Sequence, residues 1–442
     1  MNAPRQSKPP NVKIVDSGRP GGRTAIEGFL RRSPFDPAVD RKAQKILNEI
    51  ADKGDRAVAA ASRRYDGVEL QPGKFALSSR EISAASRKVD AEFKRAVAEI
   101  RKRVNKFADS ALKRNWQIRT PGGGRIGEYF TPIERVGVYV PGGTAPLVST
   151  VLMTVTIAKT AGVKEIVVCT PPGRPDGSVN PYLLYTIASG GADEVYRIGG
   201  VQAIGMMAYG TRTVKRVLKI VGPGNAYVTA AKRLVYGTVA LDLVAGPSEI
   251  AVLADSTADP RHIAADLLSQ AEHGTGTERA LLASTSREVT RRTRKELSSQ
   301  ASLLQRIKPV SKVMKQGMLL VNVKSLAEGI DLCSRFAPEH LELMVRNPSR
   351  CMKDIKSAGA VFTGPWSPEV TGDFVAGPSH VLPTGGAAAA FSGLSINDFF
   401  KKSSYISYSK ADLRSALPVI RTLGKVEGLD AHVRSADIRF ET

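Results

Sequence analysis

The sequence has few residues of the kinds that build covalent frameworks or membrane spans. Its three cysteines, Cys169, Cys333 and Cys351, are odd in number and show no C-x-x-C spacing. A disulfide framework is therefore not expected, and a reducing cytoplasm fits best. No segment has the about 18 consecutive apolar residues that a membrane span needs, and Met1–Thr24 has no apolar core of a secretory signal. We predict a soluble, cytoplasmic protein without membrane contact.

The sequence also lacks modules that would use its positive charge on nucleic acid. The formal net charge is +22, which would suit such a partner. There is no zinc-finger spacing, no RNP-like aromatic run and no basic heptad region. The basic runs Lys94–Lys106 and Arg291–Lys295 indicate solvated helix faces. We interpret the charge as a basic cytosolic surface with no specific nucleic-acid partner. A nucleic-acid-binding protein with a decayed site is the alternative from another class.

The length and the apolar rhythm indicate more than one α/β unit. A chain of 442 residues is too long for one compact core. Residues 1–30 are expected to form a loosely structured arm, and the spacing from Asp36 to Leu112 is helical. From Val136 onward, the short runs GVYV, EIVVC, EVYRIG and VLKIV are each followed by a helical stretch. This pattern is typical of a parallel sheet with helices on both faces.

A second α/β unit is expected to begin with a strand at Glu249–Ala254. Further strands are predicted near Met318–Val323 and Ala360–Phe362, and residues 387–442 have a small helical pattern of their own.

Two glycine-rich turns directly follow predicted strands. They are Pro141-Gly142-Gly143-Thr144 and Gly222-Pro223-Gly224-Asn225, and Gln202 begins the helix after EVYRIG. Such turns lie at the carboxyl edge of a parallel sheet, where free backbone N–H groups and the helix dipole favour a phosphate. Neither turn matches G-x-G-x-x-G. Two turns on one sheet predict a nucleotide crevice, and plain structural turns are the alternative.

The chain has five histidines, so the position of each one matters. Asp259-Pro260 predicts a helix start, and Gln270 and His273 then project from the same face of the last turn. His262 lies on that face as well, but about 16 Å away along the axis at 1.5 Å per residue. It is too far away to share a metal with His273, and we interpret it as structural.

The other histidines are spread along the chain. Pro338-Glu339-His340 suggests a proline-initiated helix start, whereas Asp373 and His380 fall in a glycine-rich, loop-like stretch. His432 lies near the C-terminus. Histidine nitrogen and carboxylate oxygen suit zinc, but the spacing forms no metal motif. Solvent-facing or core histidines remain the alternative.

Taken together, these segments resemble the histidinol dehydrogenase family over nearly the whole chain from about residue 30. Eight ordered blocks carry the resemblance: VGVYVPGGTAPLVSTVLM, GGVQAIGMMAYGT, KIVGPGNAYVTAAKR, AGPSE, LLSQAEHG, FAPEHLEL, GDFVAGPSHVLPTGG and EGLDAH.

The expected fold is α/β. It has two incomplete Rossmann-like parallel-sheet domains, a small helical C-terminal tail and an N-terminal arm. The arm is residues 1–30. The zinc-side domain is discontinuous, 31–135 and 249–386; the NAD-side domain is 136–248, and the dimer-interlocking tail is 387–442.

The resemblance implies a four-electron oxidation of L-histidinol to L-histidine through the aldehyde, with two NAD and one zinc per subunit. The implied zinc ligands are Gln270, His273, Asp373 and His432. His340 is implied to take protons, and Glu339, expected to stay ionised at a helix start, to activate water. The implied NAD contacts are Tyr139, Gln202 and Asn225.

The implied substrate contacts are Ser248, Gln270, His273, His340, Asp373, His380, Glu427 and His432. The family forms an interlocked homodimer, so the partner subunit's His432 is expected to complete each zinc site.

Several positions depart from the family pattern as we expect it. LDLVAGPSE and RVLKIVGPGN stand where IDMPAGPSE and DKIVGPGN are expected, and Gly274-Thr275-Gly276 replaces a more acidic turn. Residues 387–390 are four consecutive alanines, a simpler sequence than we expect there in the family. None of these changes removes an implied ligand or catalytic group. They leave open a paralogue that oxidises another amino alcohol or a diol.

Overall fold

The structure, a computed structural model, describes residues 9–32, 35–142, 146–244 and 246–441. Within these ranges the chain forms three β-sheets. Their strands are β1 (Lys13–Asp16), β2 (Trp116–Arg119), β3 (Arg125–Pro132), β4 (Arg135–Tyr139), β5 (Glu165–Cys169), β6 (Glu194–Tyr196), β7 (Lys219–Val221), β8 (Ala240–Leu241), β9 (Glu249–Ala254), β10 (Arg279–Ser284), β11 (Met318–Asn322), β12 (His340–Met344), β13 (Ala360–Thr363) and β14 (Phe400–Ser407).

The helices begin where the sequence provides caps. Asp36, Asn180 and Asp259 each precede a proline and accept a hydrogen bond from a backbone N–H of the first turn. The helices are α1 (Pro20–Leu30), α2 (Pro37–Lys53), α3 (Asp55–Ala61), α4 (Ser79–Arg87), α5 (Ala91–Ser110), α6 (Val148–Leu152), α7 (Val155–Thr160), α8 (Pro181–Gly190), α9 (Gly200–Tyr209), α10 (Ala226–Leu234), α11 (Pro260–Ala271), α12 (Arg287–Ala301), α13 (Ile307–Gln316), α14 (Leu326–Phe336), α15 (Pro348–Met352), α16 (Val370–Phe374), α17 (Lys410–Glu427) and α18 (Asp430–Asp437).

One parallel sheet has six strands in the order β1-β11-β10-β9-β12-β13. Its central strands are buried on both faces, by α11–α13 on one side and by α1 and α14 on the other. The second parallel sheet has five strands in the order β6-β5-β4-β7-β8. The predicted α/β fold with two parallel-sheet units is confirmed, because every strand pair in both sheets is parallel.

The predicted loose arm is wrong for the part of it that the structure describes. Residues Lys13 to Asp16 pair with β11 as an edge strand, and α1 follows directly. Val15 and Ile26 are buried in the core on the face of the sheet that α1 and α14 cover. A strand of four residues is too short to give a periodic signal, so its place depends on the sheet edge already formed by β11.

The helices between residues 37 and 110 pack on the helices that cover the five-stranded sheet. Helix α2 contacts α9 and α10, α4 contacts α8, and α5 contacts α7. The expectation that residues 31–135 join residues 249–386 therefore needs correction for α2–α5. The reason is that the apolar face of α2, including Leu47 and Ile50, is buried against α9 residues such as Ile204.

The C-terminal tail is mainly helical but contains a strand that the sequence pattern did not reveal. Strand β14 pairs antiparallel with β3, and β3 pairs with β2. Asp412 at the start of α17 accepts hydrogen bonds from the backbone N–H groups of Gly122 and Gly124 and from the hydroxyl of Thr120. These contacts dock the tail onto the turn before β3.

Two predictions from residue absences can be compared with the structure. All three cysteines are buried and free, as the absence of a disulfide framework requires. Among the described residues, no helix has both the length and the apolarity of a membrane span.

Candidate active site

The predicted pair Glu339-His340 lies at the amino edge of the six-stranded sheet. His340 is the first residue of β12 and pairs in register with Ile250 of β9 and Ala360 of β13. The predicted helix start at this position is wrong. Ala337, with φ +43°, ends α14 in the left-handed conformation, and Pro338 follows it as proline commonly follows a helix end.

His340 is a deeply buried imidazole with one nitrogen left without a partner. Its Nδ1 lies 2.8 Å from Oε1 of Gln270. Its Nε2 has no hydrogen-bond partner among the described residues, and neither does Nε2 of Gln270. Burial lowers the pKa of His340 to about 4, against the opposing charge of Asp373. The ring is therefore a neutral base near pH 7.

Glu339 is a buried carboxyl group in the same edge of the sheet. It accepts a hydrogen bond from the backbone N–H of Glu249 at 3.1 Å. Burial raises its pKa well above the usual value, and the charges of Asp373, Glu249 and Glu369 raise it further. The expectation of a carboxylate kept ionised by a helix start is therefore corrected, because Glu339 precedes a strand among other carboxylates.

Three histidines converge on Asp373. Oδ1 of Asp373 lies 3.8 Å from Nε2 of His340 and 3.7 Å from Nδ1 of His380, and its Oδ2 lies 4.0 Å from Nε2 of His273. The hydroxyl of Ser248 lies 3.5 Å from Nδ1 of His273. Asp373 itself is in the short helix α16 rather than in a loop. The fold thus joins residues that the sequence spreads over more than one hundred positions.

A potential metal site lies in this group. Ligand atoms of His273, Glu369 and Asp373 all lie within 4.8 Å of one another. Gln270 adjoins them through His340, and the oxygen of its side-chain amide is a further potential ligand atom. Imidazole nitrogen with carboxylate oxygen is a donor set that zinc accepts. The residues present therefore fit a divalent metal ion.

Sequence reasoning missed Glu369. It is buried, accepts a hydrogen bond from the hydroxyl of Ser269 at 2.8 Å, and has its pKa raised to about 8 by burial and by Asp373. A signal was present, because Glu369 stands four residues before Asp373, the spacing that puts two side chains on one helix face.

Two of the predicted site residues lie on the tail. Glu427 ends α17 and His432 lies on α18, and both are exposed. Among the described residues, the group of potential ligands around Asp373 includes neither of them. This chain therefore does not bring His432 into its own cluster of ligand atoms.

The predicted cofactor residues meet at the carboxyl edge of the five-stranded sheet. Tyr139 ends β4, and its hydroxyl accepts a hydrogen bond from the backbone N–H of Gly200 at 3.1 Å. Asn225 caps α10 by accepting from two backbone N–H groups. Of the first glycine-rich turn, Pro141 and Gly142 are described, whereas Gly143 and Thr144 lie outside the described residues.

Gln202 is held by an acidic residue that sequence reasoning did not select. Its Nε2 donates to Oδ2 of Asp66 at 2.8 Å. Burial raises the pKa of Asp66, and the hydrogen bond from Gln202 opposes that shift. Asp66 ends a π-helical turn after α3, and no motif in the sequence marked it.

A cavity of about 420 Å³ lies beside the buried histidines. His340 and His380 line it together with Phe362 and Thr371. The loop behind it connects the two sheet units, because the hydroxyl of Ser379 donates to the backbone oxygen of Met153 at 3.0 Å. The volume suits a small molecule.

The comparisons with known proteins agree over nearly the whole chain. The family model described as histidinol dehydrogenase matches residues 30–440. A histidinol dehydrogenase of Heliobacterium mobile is 42% identical over 416 residues, which cover 94% of this chain and 97% of that protein. One from Bacillus cereus is 43% identical over 409 residues, 92% and 94% of the two chains. The crystal structure of histidinol dehydrogenase from Elizabethkingia anophelis superposes with a TM-score of 0.91 at 34% identity, covering 97% of this chain and 98% of that one.

Proposed function

The chain belongs to the histidinol dehydrogenase family, and from that premise we propose that it oxidises L-histidinol to L-histidine with NAD, through L-histidinaldehyde. This four-electron oxidation would be the last part of histidine biosynthesis. The observation that carries the proposal is the convergence of His273, His340 and His380 on Asp373, beside Glu339. We further propose a cytoplasmic location.

His340 is the proposed proton acceptor in both oxidations. Its low pKa keeps the imidazole neutral, and its Nε2 faces no protein donor among the described residues. The side chain of Gln270 fixes the ring through Nδ1. A neutral imidazole held in one orientation can take a proton from the substrate alcohol and then from the hydrated aldehyde.

Glu339 is proposed to activate the water that hydrates the aldehyde. Its burial and its carboxylate neighbours give it a raised pKa, so the group readily takes up the proton of a water molecule once it is ionised. The backbone N–H of Glu249 orients the carboxyl group.

Gln270, His273 and Asp373 are proposed as the zinc ligands that this subunit supplies. A bound zinc ion would hold the imidazole and amino nitrogens of the substrate and so orient it. Glu369 lies close enough to serve the same ion or to orient Asp373. Ser248 and His380 are proposed substrate contacts, with Glu427 meeting the ammonium group of the substrate.

Tyr139, Gln202 and Asn225 are the proposed NAD contacts. They lie near the carboxyl ends of parallel strands and the starts of the helices that follow, which is where a pyrophosphate commonly binds. Both hydride transfers would then use one cofactor crevice, occupied in turn by two NAD molecules.

We also propose a homodimer in which the partner subunit's His432 completes the zinc site. On α17 the apolar side chains of Val419, Leu423 and Val426 are exposed at helical spacing, as expected of a face that another surface covers. The exposed position of His432 on α18 agrees with a ligand donated to a second subunit.

The decisive experiment is a stoichiometric assay of NADH on L-histidinol, with and without added zinc. We expect two NADH per L-histidinol and loss of activity with a chelator. One NADH per substrate, or activity that resists the chelator, would contradict the proposal. A panel of amino alcohols and diols separates this activity from that of a family relative, which would prefer another substrate.

A further inference from the structure

A buried ion pair that belongs to neither proposed site lies against Gly222, the first residue of the second glycine-rich turn. Lys232 of α10 and Asp242, directly after β8, pair with side chains 3% and 0% exposed. Burying two charges costs solvation energy that their attraction barely returns, so such a pair adds little stability over an apolar one. Its geometry is therefore the more informative property.

The pair holds both backbone groups of one residue, Gly222. The ammonium group of Lys232 donates to the backbone oxygen of Gly222 at 2.8 Å. The backbone N–H of Gly222 donates to Oδ2 of Asp242 at 2.7 Å. A single peptide segment is thus fixed from both sides by side chains from two different elements.

Gly222 lies where no residue with a side chain would fit. Its φ is +108°, and a Cβ atom there would lie 2.2 Å from the backbone oxygen of Tyr139. The turn therefore lies directly against the end of β4. Its other end is Asn225, the cap of the same helix that carries Lys232. The pair, the turn and two of the three proposed NAD contacts form one connected unit.

We infer that Lys232 and Asp242 are positioning residues that fix the turn from Gly222 to Asn225 for binding of the dinucleotide. The inference rests on the proposed function, because it presupposes NAD in this crevice. Both side chains hydrogen-bond to the backbone of Gly222, so they act through that residue rather than by touching the cofactor. A preformed turn loses no freedom on binding, which increases affinity.

The test uses the full-length, zinc-loaded protein and the double variant Lys232→Met/Asp242→Leu. Replacing the pair with apolar side chains of similar size leaves no unpaired charge, so the variant is expected to fold. Calorimetry with NAD+ alone should show a dissociation constant raised about tenfold or more. The KM for L-histidinol and the zinc content should stay unchanged, because the amino edge of the other sheet is untouched.

Arg135→Met is the matched control. The buried side chain of Arg135 pairs with the partly exposed Glu165 and Glu194 at the opposite, amino edge of the same sheet. Its loss should lower the temperature of unfolding without changing the affinity for NAD+. A generic effect of removing a buried, ion-paired side chain would instead weaken NAD+ binding in both variants and overturn the inference.

The remaining outcomes separate this inference from the proposed function. If the unaltered protein does not bind NAD+, the proposed function fails. If it binds NAD+ and the double variant binds equally well, only the positioning role fails. Should the double variant not fold, Asp242→Asn replaces it. That variant removes the charge partner of Lys232, and NAD+ affinity equal to that of the unaltered protein would overturn the inference as well.

Discussion

Nδ1 of His340 lies 2.8 Å from Oε1 of Gln270, although 70 positions separate the two residues in the chain. An amide oxygen can only accept a hydrogen bond, so the proton of the neutral imidazole is on Nδ1. The lone pair is consequently on Nε2, which faces Asp373. This one contact sets the tautomer that a proton acceptor at Nε2 requires.

Replacing His340 by alanine should lower kcat about 10²- to 10⁴-fold, the usual contribution of a general base. Binding of NAD+ should not change, because the proposed cofactor crevice lies on the other sheet. Steady-state kinetics and calorimetry check the two halves of this prediction. The control is His262→Ala, since His262 is partly exposed and lies beside Asp259 at the far end of α11. Near-normal turnover of the His340 variant would remove it from the mechanism.

Glu369→Gln should weaken zinc binding about 10- to 100-fold, the range seen when groups that support metal ligands are changed. Glutamine keeps the size of the side chain and a partner for Ser269 but removes the carboxylate beside Asp373. Competition with a chromogenic chelator measures the affinity.

Glu342→Gln is the comparison for Glu369. Glu342 is an equally buried carboxyl group next to Glu369 but outside the group of potential ligands. The Glu342→Gln substitution should lower the affinity for zinc clearly less than Glu369→Gln does. Equal losses in the two variants would mean that Glu369 acts only through the general packing of the region.

The position in the fold of the proposed NAD contacts, which the family resemblance implied, could be predicted from the sequence because it depends on local order. Tyr139 ends a strand, Gln202 and Asn225 lie at the starts of helices that follow strands, and parallel strands bring those ends to one edge. The structure places all three at the carboxyl edge of the five-stranded sheet. Asp66 was not predicted, because it reaches Gln202 only through the packing of α3 on α9.

The proposed metal site was harder to predict because its residues come from separate elements. Spacing alone gave no motif for His273, Asp373 and His380, and the family resemblance rather than any periodicity selected them. Proline before His340 suggested a helix start, whereas it follows the end of α14. The local sequence is compatible with either a short buried strand or a helix start. Only the pairing with β9 and β13 selects the strand.

Protonation of Asp412 at acid pH should weaken the docking of the tail. Burial acts to raise the pKa of this carboxyl group, but hydrogen bonds from Thr120, Ser409 and Gly122 outweigh it and hold the pKa below the usual 3.8. A lowered pKa in the folded state adds stability above the usual value, and this contribution is lost as the pH falls toward the folded-state pKa.

Asp412→Asn should therefore unfold at a lower temperature than the unaltered protein at about pH 6, and the difference should shrink at about pH 3. Thermal unfolding followed by circular dichroism at both pH values checks this. Asp430→Asn, on the next helix and exposed, should change little at either pH. A difference that is the same at both pH values would show that the charge of Asp412 is not what docks the tail.

The proposed exchange of His432 between subunits predicts complementation between two inactive variants. His340→Ala should inactivate the site in its own subunit, whereas His432→Ala should inactivate the site of the partner subunit. In a mixed dimer, both defects fall in one site and the other site is intact. Equal amounts, exchanged to random pairing, should regain about a quarter of full activity, since half of the dimers carry one working site of two.

The control for this prediction is a mixture of His340→Ala with Asp373→Asn. His340 and Asp373 lie 3.8 Å apart within one chain, so each mixed dimer then has one defect in each site and no activity returns. Recovery in this control would mean that activity comes from unmixed, contaminating protein. Failure of the His432 mixture alone, with mixed dimers demonstrated by mass spectrometry, would place His432 in the site of its own subunit and contradict the proposed exchange.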